Sequence, residues 1–357
     1  MKYLYIAPML LLGTLLCSCS DDAKEGPKPP RPGEDVYVII TDYVKPDTKA
    51  DLTASIQEVI DNNPNRTIYF PEGEYVLGSP VITPAAIAKS VSILLDSKAV
   101  IKASDNWSST DAMIRLGGKD PASATTEAGS YAFQGGTVDG NGVADGISIE
   151  SSSMTSIRSC NITGTRRGIV VFTGSNGGSA DADIYDVNII GNNKANSVGV
   201  EFKGLDNTVR NLTVSNVHTG VILAPGTSLI TSSFKCDEGV EDYATSEGIS
   251  VVGNTFITDC EVEDFATAYA LNHERGFLHN CTATWSSKIG QSHLALGCGG
   301  PFNARISGFK ADFTKANAVG SNVVLDCSGI GTGALAGLEI TDPSVVTDNS
   351  YEKFLKK

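Results

Sequence analysis

One repeated phrase constrains this chain more than its composition does. VRNLTVSNVHTGVILAP (Val209 to Pro225) places apolar residues at Val209, Leu212, Val214 and Val217, then Gly220, then a second apolar run, Val221 to Leu223. The phrase recurs as SIRSCNITGTRRGIVVF (Ser156 to Phe172), DIYDVNIIGNNKANSVGVEF (Asp183 to Phe202), FITDCEVEDFATAYAL (Phe256 to Leu271) and FLHNCTATWSSKIGQSHLAL (Phe277 to Leu296). Anchored on an equivalent early position, the copies fall at Phe133, Ile157, Ile184, Val209, Thr231, Ile257, Leu278 and Ile306, in steps of 21 to 28 residues. Each copy holds two short β-rich pieces separated by Gly, Asn, Ser or Asp, and none has room for a helix of about 10–14 residues. A repeat of this kind is one coil of a parallel β-solenoid.

The glycine that opens the second piece sets a register: Gly146, Gly168, Gly199, Gly220 and Gly248 share the slot, with Ala268 in the same place. Strand side chains alternate. Residues one and three later (Ile147 and Ile149, Val221 and Leu223) are therefore expected to face inward, and those two and four later outward. Outward Val170, Phe172 and Ile222 imply a face that is either covered by loops or adhesive. Glycine is abundant (37 residues) and charged residues make up only 19%, which suits many tight turns.

The N-terminus carries one basic residue, Lys2, and an apolar run from Tyr3 to Leu16 that is too short to span a bilayer. Leu16-Cys17-Ser18-Cys19 resembles the lipobox of bacterial lipoproteins, with residues 1–18 as signal peptide and Cys19 as the lipidated residue. Ser20-Asp21-Asp22 resembles the signal that sends some Gram-negative lipoproteins to the outer face of the outer membrane, so the expected location is lipid-anchored at the cell surface. Residues 19–34 are Pro-rich and charged and read as a tether. The chain carries a formal charge of −14, and removal of the signal takes away only Lys2. That acidity excludes broad binding to nucleic acid. An acidic polysaccharide would need a local basic patch or a bridging cation.

Six further cysteines follow Cys19, at 160, 236, 260, 281, 298 and 327. Cys160, Cys260 and Cys281 occupy the repeat slot held elsewhere by Val187 and Leu212, so they read as buried, stacked thiols. A bridge between Cys260 and Cys281 on adjacent coils stays open. No metal-ligand spacing of Cys and His is present. The acidic stretch Cys236 to Tyr243 is open to two readings, a Ca²⁺ loop or a solvated loop.

A solenoid needs its raw apolar end covered. Leu52, Ile56, Val59 and Ile60 mark one face of a short helix, with Asp51 as its N-cap and Pro64 preventing extension beyond Asn63. Thr53, Ile56-Gln57 and Val59-Ile60, followed by Thr67-Ile68-Tyr69-Phe70-Pro71-Glu72-Gly73-Glu74-Tyr75, resemble the opening of pectate-lyase-superfamily right-handed β-helix proteins. The chain departs from that pattern in having Lys45-Pro46-Asp47 where the family has Gly-Asp-Gly, and no glycine before Thr67. The resemblance implies an all-β chain: a single-stranded right-handed parallel β-helix over residues 35–342 with a short N-terminal capping helix. Ser104 to Ala128 reads as a lateral loop, and the tail, 343–357, either folds over the C-terminal end or frays.

Gly135-Gly136-Thr137-Val138-Asp139-Gly140-Asn141-Gly142 resembles a phrase of polygalacturonase-type hydrolases that also occurs as a plain coil corner. The phrases that carry those enzymes' catalytic residues are absent, so no family role transfers. Candidates rest on residue type and column. Just before the glycine slot lie Arg166, Arg167, Lys194, His218, Glu247, Lys288 and His293, and just after the second strand lie Asn272, His273, Glu274 and Arg275. A uronan lyase needs a base for the proton beside the carboxylate and a cation to neutralise it, which suits Arg and His. A glycosidase needs two carboxylates, for which Glu201, Glu247 and Glu274 are of the right type. The expected catalytic group is His273, Glu274, Arg275, Lys288 and His293; the expected substrate-binding group is Arg166, Arg167, Glu201, Lys203, His218 and Asn272. The two functional readings are a polyuronate lyase or glycoside hydrolase and a noncatalytic glycan-binding, adhesive or structural β-helix. Either has a polysaccharide or glycan as partner.

Overall fold

The computed structural model describes residues 37–85, 90–119, 129–150, 154–172, 181–237, 239–271, 275–286, 293–297 and 303–313, with short strands at 322–326, 333–336, 339–341 and 354–356. The expected signal peptide, Cys19 and the expected tether lie outside them. Among the described residues, strands form two parallel sheets, one of 21 strands and one of ten. Each coil gives one strand to the ten-stranded sheet and a bent strand, or two short ones, to the larger sheet. Every pairing is parallel and joins a coil to the next, from Ile68 with Ile93 through Ile306 with Leu335. This is the parallel β-helix expected from the repeat.

The ladders correct one anchor. Val209 pairs with Leu229, and Leu229 with Ile257, so the anchor of that coil is Leu229 rather than Thr231. Thr231 instead occupies the corner two residues later. There the backbone turns through positive φ in coil after coil: Ser159 at 49°, Asp186 at 55°, Asn211 at 52°, Thr231 at 48°, Asp259 at 54° and Asn280 at 50°. Small polar residues tolerate that conformation best. This corner bends the larger sheet into two faces.

The glycine slot has a steric cause. A Cβ on Gly146 would lie 2.5 Å from the carbonyl oxygen of Gly168, one on Gly168 2.6 Å from that of Gly199, and one on Gly248 2.7 Å from that of Ala268. Adjacent coils approach too closely there for a side chain. The inward register follows it as expected: Ile147, Ile149, Val221, Leu223, Ile249 and Tyr269 are fully buried. The outward face is covered rather than adhesive at several positions, since Ser148, Val170, Ser250 and Ala270 are buried as well. Cys160, Cys236, Cys260 and Cys281 are free thiols in the core. Cys298 and Cys327 lie outside the described residues.

The helix α1, Thr53–Asn62, buries Ile56, Val59 and Ile60 against the first coil. Its N-cap is Leu52, not Asp51. Asp51 still serves the helix start, because its carboxylate accepts from the Thr53 amide at 2.9 Å and from the Gly78 amide at 2.8 Å. Gln57 explains the Ile-Gln pair of the opening motif. Its amide donates to the Ile82 carbonyl and accepts from the Ile82 amide, both at 2.8 Å, and so pairs the free edge of the terminal strand Val81–Pro84. The lateral loop expected over 104–128 contains a strand, Ala112–Lys119, in the ten-stranded sheet. Ala112, Met113, Ile114 and Leu116 are buried in it, and polar flanks hid them from a reading by composition. Phe354–Lys356 of the tail pairs with the strand at 333–336 and extends the larger sheet.

Candidate functional site: a charged cleft on the ten-stranded sheet

Three consecutive strands of the ten-stranded sheet, Asp145–Ile149, Arg167–Val171 and Val198–Phe202, build the floor of the site. Their outward positions carry charge. Asp145 is only 1% exposed. A buried carboxylate is expensive unless paired, and this one faces two guanidiniums. Arg167 Nε donates to Asp145 Oδ2 at 2.7 Å, and Arg166 Nε lies 3.1 Å from Asp145 Oδ1. Arg167 also reaches the next strand, its Nη1 donating to Glu201 Oε2 at 3.2 Å. Arg167 therefore bridges Asp145 and Glu201. Lys203 Nζ sits 3.4 Å from Glu201 and 4.9 Å over the ring of Phe172. Burial would lower the Arg167 pKa, but the bonds to Asp145 and Glu201 outweigh it and hold it above its ordinary value.

Above this floor opens a cleft of about 630 Å³, lined by Asp145, Arg166, Arg167, Lys194, Ser197 and Glu241 among others. Its far wall is the turn at 192–197. Asn192 donates to the Gly142 carbonyl at 3.0 Å and closes one side. Lys194 forms an ion pair with Glu241, which comes from the acidic stretch after Cys236. Lys194 holds the Glu241 carboxyl below its ordinary value. The lining thus sets three cations against two carboxylates within an acidic chain. His218 lies one coil further: its amide donates to Ser197 Oγ at 2.9 Å and its Nε2 is 2.9 Å from Thr245 Oγ1.

The column before the glycine slot therefore comes together in part. Arg166, Arg167 and Lys194 share one cleft, Glu201 is tied to it through Arg167 and Lys203 through Glu201, and His218 lies beside it. His293 does not belong to that outward column. It is 1% exposed, 5.3 Å from the ring of Trp285 in a stacked arrangement and 6.5 Å from that of Tyr243. The ring opens a strand of the ten-stranded sheet and packs among aromatics. Asn272, His273, Glu274 and Lys288 lie outside the described residues, and Arg275 is described only as the first residue of the strand Arg275–His279. The sequence reading missed Asp145, although it stands directly before Gly146 in the favoured column. It also missed Arg115, which sits on the same face and forms a two-pronged pair with Glu150 at 2.7 and 2.8 Å. The Gly135–Gly142 phrase is a coil corner, with Gly135, Gly136 and Gly142 at positive φ. Among the described residues no group of three or more His, Cys, Asp or Glu side chains is placed to hold a metal ion.

A parallel β-helix with a charged cleft on the outer side of one sheet defines the class. Within it, residues 38–249 match the family described as "Rhamnogalacturonase A/epimerase, pectate lyase-like", and the chain belongs to that family. No curated protein sequence matches it. Among solved structures, an endo-xylogalacturonan hydrolase from Aspergillus tubingensis is similar at TM-score 0.56 and 17% identity, over 85% of this chain and 92% of that one. A mutant tailspike protein of E. coli bacteriophage HK620 is similar at TM-score 0.55 and 12% identity, over 88% of this chain and 64% of that one. PfbA, a surface adhesin of Streptococcus pneumoniae, is similar at TM-score 0.50 and 13% identity, over 87% and 93%. At these identities the likeness establishes the right-handed β-helix fold.

Proposed function

We propose that this protein acts on an acidic polysaccharide at the cleft centred on Arg167. The observation that carries the reading is the buried Asp145 on the outer face of the sheet, held by Arg166 and Arg167 at the cleft wall. The fold does not need a charge there, since the equivalent positions of other strands include Ala112, Val198 and Thr219. Arg166 and Lys194 supply cations for sugar carboxylates, and Arg167 with Asp145 and Glu201 forms the group where charge developing on a sugar would be met. The family description and the similarity to an endo-xylogalacturonan hydrolase support a glycan of this class. Purified protein incubated with polyuronans and neutral glycans is expected to release unsaturated ends for elimination or reducing ends for hydrolysis, and Asp145→Asn to abolish the release.

A second reading, a noncatalytic glycan-binding protein, is favoured by the ion pairing itself. Asp145, Glu201 and Glu241 each face a cation, an arrangement that binds but leaves none of the three free toward a glycosidic bond. Saturable binding without new chain ends selects it. In either case we propose that Cys19 is lipidated and anchors the chain at the bacterial outer membrane. Detergent-phase partitioning that survives Cys19→Ala would refute the anchor. A Ca²⁺ ion at the stretch 236–243 stays a proposal, checked by calorimetric titration with CaCl₂.

A further inference from the structure

A second concavity lies on the opposite side of the coil, at the bend of the larger sheet. It encloses about 900 Å³ and runs along the helix axis from the coil of Ser97 to the coil of Thr231. Two rows line it. The corner row is Ser159, Asp186, Asn211 and Thr231, all at positive φ. The second row is Asn161, Asn188, Thr213 and Ser233, and its members are register partners in consecutive coils. The groove carries one ionic side chain among its fifteen lining residues, Asp186. That carboxylate already accepts from Asn211 Nδ2 at 3.0 Å, and Asn188 Nδ2 donates to Asn161 at 3.4 Å. Each amide has two donors and a carbonyl acceptor, so these contacts use only part of its capacity.

We infer that this groove is a binding site for an uncharged oligosaccharide laid along the helix axis. Sugar hydroxyls donate and accept, as the amide and hydroxyl rows do, and the described lining holds no cation to prefer an acidic chain. The rows repeat at the coil spacing of about 4.8 Å, so a sugar chain meets a fresh amide or hydroxyl pair at about each residue. Corner positive-φ geometry keeps these side chains on a rigid scaffold, which lowers the ordering cost of binding. The site is distinct from the cleft of Arg167 and does not depend on that cleft's role.

Calorimetric titration of the full chain with cellohexaose, mannohexaose and xylohexaose tests this, with a galacturonate hexasaccharide as the charged control. At least one neutral hexasaccharide is expected to bind. The double substitution Asn188→Ala with Asn211→Ala should weaken it roughly tenfold, the loss due from about two hydrogen bonds. Thr213→Trp, which fills the exposed groove, should weaken it further, while Arg167→Ala leaves it unchanged. The inference is overturned if no neutral hexasaccharide binds at about 1 mM, where even weak complexes register. It is also overturned if binding is lost in Arg167→Ala and kept in the groove variants.

Discussion

The two concavities of this β-helix are built from the same coils in opposite chemistry. The cleft on the ten-stranded sheet gathers Arg166, Arg167 and Lys194 against Asp145 and Glu241, and its central carboxylate is buried. The groove at the bend of the larger sheet presents two rows of amide and hydroxyl side chains with Asp186 as its one charge, and most side chains of those two rows are exposed. The difference follows from what each side of the coil permits. The corner is a tight turn held by one residue at positive φ, which restricts it to Ser, Asn, Asp, Thr or Gly. The segments before the glycine slot vary in length and so can deliver long charged side chains from neighbouring coils to one place.

The sharpest way to break this contrast is Arg167→Ala. Removing the bridge between Asp145 and Glu201 should reduce turnover or binding of an acidic polysaccharide about a hundredfold. Chain-end release, or titration with a galacturonate hexasaccharide, reads this directly. Stability should fall by roughly 2 kcal/mol, between the values for buried and exposed pairs, because Arg167 is partly solvated and Asp145 keeps Arg166. Thermal denaturation measures it. Salt separates the two sites next. Raising ionic strength from about 0.05 to about 0.5 M should weaken acidic-ligand binding several-fold and leave a neutral hexasaccharide unaffected.

The capping helix lines neither concavity and gives a smaller effect. Burial alone would raise the Asp51 carboxyl above 3.8, but bonds from Thr53 and Gly78 outweigh it and hold it lower. A depressed carboxyl contributes stability above its unfolded value and loses it as pH falls through the folded one. Wild type should therefore lose stability below pH 3.8 faster than Asp51→Asn, which itself should cost about 1 kcal/mol at neutral pH. Melting curves at about pH 5 and about pH 2 compare them. Least of all, Asn188→Ala should change stability by no more than about 0.5 kcal/mol, since Asn188 is a partly exposed position in extended strand.

The scaffold was legible because its determinants are local and repeated. The glycine slot, the inward Ile and Val pairs and the core thiols at Cys160, Cys260 and Cys281 all follow from one register. The slip at Thr231 came from a coil whose anchor Leu229 stands only two residues before a corner of similar polarity. The site was legible only in part. Arg166, Arg167 and Lys194 were found by their column, but Asp145 was not, because a lone Asp before Gly146 looks like a turn residue until Arg167 of the next coil is placed against it. The burial of His293 was hidden for the complementary reason: Tyr243, one of the rings packed against it, comes from an earlier coil.

The central claim is that acidic polysaccharide is handled at the Arg167 cleft. Equilibrium binding of a galacturonate hexasaccharide to wild type, Arg167→Ala and the Asn188→Ala/Asn211→Ala pair tests it most directly. The account predicts at least about tenfold weaker binding for Arg167→Ala and wild-type affinity for the pair. Wild-type affinity in Arg167→Ala would contradict it.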